Sequence, residues 1–176
     1  MITTDKIKLD NLLLNTENFR YETVNDQKEA IAKMLEEQRT KLVNLAQHIM
    51  KHGLNPNDRI QVYPSSHDNT KFVVLEGNRR IVTLKFLKNP DLIDDPSFLT
   101  IKKKFQTFNK EYADELIDEL DCIVYENPEE AHEWVKLKHN GQREGIGTVP
   151  WNAQQIDRFE ERVEGVSSIA LQGSLR

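Results

Sequence analysis

The chain has 176 residues, 38% of them hydrophobic and 30% charged, with a formal net charge of −5 and one cysteine. That length fits one domain, or one domain and the start of another, and a core of this size needs no disulfide or metal staple. One cysteine excludes an internal disulfide framework and points to a reducing, cytoplasmic setting; the sequence holds no run near the roughly 20 apolar residues of a membrane span and no signal-peptide core in MITTDKIKLDN, and the acidic balance argues against non-specific nucleic-acid binding by the whole surface, leaving a local basic groove open.

In chain order, Ile7, Leu9 and then Leu12, Leu13 and Leu14 predict a short edge strand and its turn. After the polar NTENFRYE, Asp26 is placed to cap a helix with Ala30, Ile31, Met34 and Leu35 on one face. Thr40 is expected to cap a second helix bearing Leu42, Leu45, Ala46 and Ile49, with Gly53 as its stop. The turn cluster Asn55-Pro56-Asn57-Asp58 precedes a strand through Ile60, Val62 and Tyr63. PSSHDNT has hairpin-loop composition, and Phe72, Val73, Val74 and Leu75 give the strongest strand signal in the chain. A helix with Ile81, Val82, Leu84, Phe86 and Leu87 follows at once and ends at Asn89-Pro90.

Residues 97–120 predict two short helices, one with Phe98, Ile101, Phe105 and Phe108 inward, the other with Ala113, Leu116, Ile117 and Leu120. Cys122, Ile123, Val124 and Tyr125 predict a strand. Pro128 is placed at the first position of a helix through Ala131, Trp134, Val135 and Leu137. A glycine-rich loop, HNGQREGIGTVP, leads to a last helix from Trp151 to Val163. The fold class read from this order is α+β, a small mixed β-sheet packed with helices. Residues 1–148 are expected to form the main domain. Residues 149–176 are expected to be a terminal helix, the start of a further helical region or the cut end of a longer protein.

The chemistry-bearing segment is VVLEGNRRIVTLKFL. It sets Glu76, Gly77, Asn78, Arg79 and Arg80 between a buried strand and an apolar helix. The first N–H groups of a helix lack internal partners and carry partial positive charge, so an anion is favoured there. Gly77, with no Cβ, lets the backbone approach closely. Arg79 and Arg80 supply charge-assisted donors, and Glu76 can orient an arginine or hold a metal ion. The competing account is that both arginines pair with nearby carboxylates. No GxxxxGK[ST] motif occurs, so a Walker-type loop is absent.

EGNRR after a hydrophobic strand resembles the G-E-R-R box of ParB-type partition proteins. Downstream, CIVYE, NPEEAHEWVKLK and HNGQRE resemble that family's strand, helix and E-N-x-x-R box. Upstream, LLLNTENFRY sits where the family has its first arginine-containing box. With three boxes in order over roughly residues 6–158, the chain resembles the ParB/sulfiredoxin-like superfamily. The resemblance implies a Mg²⁺-dependent domain that binds a nucleoside triphosphate, CTP or ATP. Such a domain acts as a switch between open and clamped dimers and as a slow NTPase, in DNA partition or anti-phage defence. DNA would be reached through a partner or a missing domain.

By the same resemblance Gly77, Arg79 and Arg80 contact phosphate, and Asn78 lies in the same box. Asn140 helps hold Mg²⁺ and the triphosphate, Gln142 and Arg143 complete its box, and Arg20 lies near the nucleotide. Glu76 is the catalytic and metal-binding carboxylate expected here. Asn78 and His139 stand where the family carries glutamates, so two acidic groups are absent, with Glu76 or Glu144 as replacements. Residues 97–120 look like an insertion. The alternatives are a DNA-nicking nuclease of the same superfamily and a non-catalytic DNA- or protein-interaction module.

Other features take plainer readings. The cysteine that sulfiredoxin sets beside this loop is missing, and Cys122, on an apolar strand, reads as a small core residue. His48 and His52 share a helix face but lack a third ligand for zinc. Lys102, Lys103 and Lys104 with Phe105 and Phe108 read as an amphipathic helix rather than a nucleic-acid patch. Trp134 and Trp151 are expected to pack near the third box.

Overall fold

Among the described residues, five short strands form a single mixed sheet. They are β1 (Thr3–Lys8), β2 (Leu12–Leu14), β3 (Ile60–Pro64), β4 (Phe72–Glu76) and β5 (Glu119–Val124), in the spatial order β1-β5-β3-β4-β2. The β3–β4 hairpin is antiparallel, with a register irregularity between Gln61 and Val62. β2 pairs parallel with β4, β5 pairs parallel with β3, and β1 closes the far edge antiparallel to β5. The computed structural model describes residues 1–17, 26–141 and 143–164. The α+β reading of the sequence holds.

The described residues form six α-helices: α1 (Gln27–Gln38), α2 (Thr40–His52), α3 (Asn78–Lys88), α4 (Leu99–Glu111), α5 (His132–His139) and α6 (Ala153–Glu164). α3 is the central one. Ile81, Val82, Leu84, Phe86 and Leu87 are all buried, because α1, α2 and α4 pack around it. Asp26 caps α1 as expected, its carboxylate accepting from the Glu29 N–H at 2.9 Å. Gly53 ends α2 with φ +76° and donates to the Ile49 carbonyl at 2.6 Å.

Three expectations are corrected. Thr40 is the first residue of α2 and not its cap; Arg39 occupies that position with φ +41° and no capping side-chain bond. The second short helix in 97–120 is a single 3₁₀ turn, Ala113–Glu115, and Leu120 belongs to β5. Its pairing with Ile7 of β1 overrides the helical spacing. Pro128 opens a 3₁₀ turn, Pro128–Ala131, which leads into α5.

The chain divides into two compact units, 1–132 and 133–176. In the second, α6 begins with a reciprocal cap: Asn152 Oδ1 accepts from the Gln155 N–H at 3.0 Å, and Gln155 Oε1 accepts from the Asn152 N–H at 2.9 Å. Trp134 and Trp151 are both more than half exposed, so neither is a packed buttress; the Trp151 ring instead lies 5.3 Å from that of Phe159. Among the described residues, no helix is long and apolar enough to cross a membrane.

Candidate functional site at the β4–α3 turn

The strand signal in FVVLE and the helix signal in IVTLKFL meet at one residue. Gly77 sits between β4 and α3 with φ +103° and ψ 11°, a left-handed conformation that L side chains rarely adopt. A Cβ there would lie 2.4 Å from Ile60 Cδ1 and 3.1 Å from Arg80 Nη2, so both the backbone conformation and the space demand glycine. α3 then starts without a side-chain cap. Its first turn holds no acidic residue.

The side chains around this turn divide into two kinds. Asn78 is 1% exposed and holds the fold together. Its Nδ2 donates to the Val74 carbonyl at 2.9 Å, and its Oδ1 accepts from the Asn15 N–H at 3.0 Å. That ties the end of β2 to the start of α3. Arg80 also turns inward. Its Nη1 lies 3.2 Å from Asp58 Oδ2 and donates to the Asp58 carbonyl, while Nη2 lies 3.6 Å from Glu76 Oε1. Burial pulls the Arg80 guanidinium below its usual pKa, and the Asp58 and Glu76 charges oppose that shift. Nη2 is buried without a hydrogen-bond acceptor. Arg79, by contrast, is exposed.

The carboxylate-pairing account therefore holds for Arg80 and not for Arg79. Arg80 is the carboxylate-paired arginine, and Arg79 is the one presented outward. Glu76 is 7% exposed and lies against Arg80, so its charge is already balanced there. That arrangement does not fit a carboxylate offered to Mg²⁺. Among the described residues, no three His, Cys, Asp or Glu converge as metal ligands. The His48 and His52 rings lie 4.8 Å apart, tilted by 39°.

Nothing local in the sequence marks Asp58 as a site residue. It ends the Asn55-Pro56-Asn57-Asp58 turn just before β3, and the β3–β4 pairing sets Gln61 opposite Glu76. Only that register brings Asp58 to Arg80. Asn140 and Arg143 fall in the second unit: the Asn140 N–H donates to the Lys136 carbonyl at 3.0 Å, and Arg143 opens a 3₁₀ turn through Gly145. Arg20 and Gln142 lie outside the described residues. Cys122 is buried, and desolvation pushes its thiol up to about 12, which makes it an inert core sulfur.

The structure is similar to the crystal structure of the C-terminally truncated chromosome-partitioning protein ParB from Caulobacter crescentus complexed with CTP-gamma-S, at a TM-score of 0.50 and 14% identity. The chain has a ParB-like fold. The match covers 93% of this chain and 64% of the ParB chain. No family model and no curated protein matches the sequence.

Proposed function

We propose that this ParB-like domain binds a nucleoside triphosphate, CTP before ATP, with the phosphates at the β4–α3 turn. The observation that carries the reading is the pairing of Gly77, left-handed and closely packed, with an uncapped helix start beside an exposed Arg79. The unpartnered N–H groups at the start of α3 and the Arg79 guanidinium are donors of the kind phosphate oxygens accept. The CTP-gamma-S in the structurally similar ParB supports the same choice of ligand. On the sequence resemblance alone, Arg20, Asn140, Gln142 and Arg143 are further candidates for nucleotide binding.

Arg80 has a different part in this proposal. Held by Asp58 and Glu76, it braces the turn from beneath and leaves the outer contact to Arg79. Because Glu76 is balanced by Arg80 and Asn78 has both ends of its amide engaged, the proposal is a binding switch and assigns no hydrolytic carboxylate. Mg²⁺ would arrive with the triphosphate, keeping most of its water, rather than bind a site made by this turn. The nuclease alternative lacks a cluster of acidic ligands among the described residues.

Calorimetric titration with CTP, ATP, GTP and UTP, each with Mg²⁺, tests the reading. CTP is expected to bind and to raise the melting temperature, since a ligand of the native state stabilises it. Arg79→Ala is expected to weaken binding by about 1.5–3 kcal/mol, the range for hydrogen bonds to charged groups, with the unliganded melting temperature unchanged. Undiminished CTP affinity in Arg79→Ala would place the phosphates elsewhere. The absence of binding by all four nucleotides would favour a non-catalytic interaction module.

A further inference from the structure

The charges of the chain are segregated. The stretches 39–52 and 99–111, which contain α2 and α4, hold seven of the chain's 24 Lys and Arg and one, Glu111, of its 29 Asp and Glu. These stretches therefore carry +6, and the other residues −11, in a chain of −5. The fold joins the two halves of this charge. At the helix starts, the Arg39 guanidinium lies 5.9 Å over the Phe98 ring. At their ends, Ile49 and Met50 share a cavity of about 210 Å³ with Tyr112 and Leu116. The helices thus run side by side in the same direction, in contact with each other and both packed on α3.

Their inward faces are core: Leu42, Ala46 and Ile49 on α2, Ile101 and Phe105 on α4. The outward stripe of α2 is Lys41, Asn44, His48 and Lys51, one residue per turn and all exposed. The exposed residues of α4 include Lys103, Lys104, Thr107 and Lys110, and also Leu99, Thr100, Gln106 and the terminal Glu111. Glu111 ends α4, and the other acidic groups nearby fringe this band. Asp94 is paired with Lys28 at 2.8 Å, Asp91 with Lys102 at 3.0 Å, and Glu36 with Lys33 at 3.0 Å; Glu37 and Asp95 lie near the helix starts, and Asp114 and Glu115 follow α4.

We propose that the α2–α4 face binds the phosphate backbone of a nucleic acid. Amines, amides and hydroxyls in this mixture are the groups that contact phosphate oxygens. The band lacks the aromatic or aliphatic anchors a protein partner or a lipid surface would need, apart from Leu99 at its rim. Each 13-residue helix spans roughly 20 Å, a length over which a duplex presents about a dozen phosphates. The residues are separate from those of the nucleotide proposal, so each stands or falls alone.

Fluorescence anisotropy with a labelled 20-base-pair DNA and the matching single strand, without nucleotide, tests this. The full chain is expected to bind at 50 mM salt, and four phosphate contacts would weaken the complex on the order of 100-fold by 200 mM. The triple variant Lys41→Glu, Lys103→Glu, Lys104→Glu is expected to lose binding more than tenfold with an unchanged melting curve. The equal charge change at Lys6, Lys8 and Lys136, exposed outside these helices, is expected to retain it. No binding at 50 mM salt, or equal loss in both triple variants, overturns the proposal. Equal or tighter binding to poly-glutamate or to phosphatidylserine vesicles also overturns it, in favour of an acidic protein or a membrane surface.

Discussion

Arg79 and Arg80 are neighbours in the sequence with opposite environments. Being next to each other on α3, they point about 100° apart, so only one can look inward over Gly77. Arg80 does so, between Asp58 and Glu76. Its removal would take a positive charge from beside Glu76, which is 7% exposed. Arg80→Ala is therefore expected to lower stability by about 3 kcal/mol, the scale for breaking a buried ion pair. Urea denaturation beside Arg79→Ala, whose midpoint should not move, checks the distinction. Two similar midpoints would mean that the inward and outward roles have been misassigned.

At the scale of elements, local chemistry and tertiary pairing decide different boundaries. α1 begins where its own residues say, because Asp26 supplies the missing acceptor for an end N–H group. Asp26→Ala is expected to cost about 1 kcal/mol, readable as a lower melting temperature with the fold intact. The short α1–α2 connection is different: Arg39 takes φ +41° because the next helix begins immediately. In residues 113–120 the spacing of Ala113, Leu116, Ile117 and Leu120 matches a helix turn, yet the chain extends into β5. Six residue pairs with β1, from Thr3–Val124 to Lys8–Glu119, outweigh that local preference.

Across the whole molecule, one core joins the sheet to α1–α4, and Cys122 sits within it. Its thiol is fully buried and pushed up to about 12. The thiolate is the reactive form, so at pH 8 the native protein is expected to react with a disulfide reagent far more slowly than the urea-unfolded chain. The labelling rate should follow opening of the core. Rapid labelling of the native protein would show that β5 opens apart from the rest. The same packing that buries α3 sets α2 and α4 beside each other and turns two modestly basic stretches into one face.

The sequence by itself determined the fold class, the order of most elements, the Asp26 cap, the Gly53 stop and the glycine turn ahead of α3. Each depends on residues within a few positions of one another, where propensity, periodicity and capping operate. Tertiary structure alone decided that Asp58 meets Arg80, that Asn78 links Asn15 to Val74, and that β5 claims Leu120. The Asp58–Arg80, Asn15–Asn78 and Ile7–Leu120 contacts join residues 22 to more than 100 positions apart. No local pattern encodes them, because they exist only once the strands have chosen their partners and register.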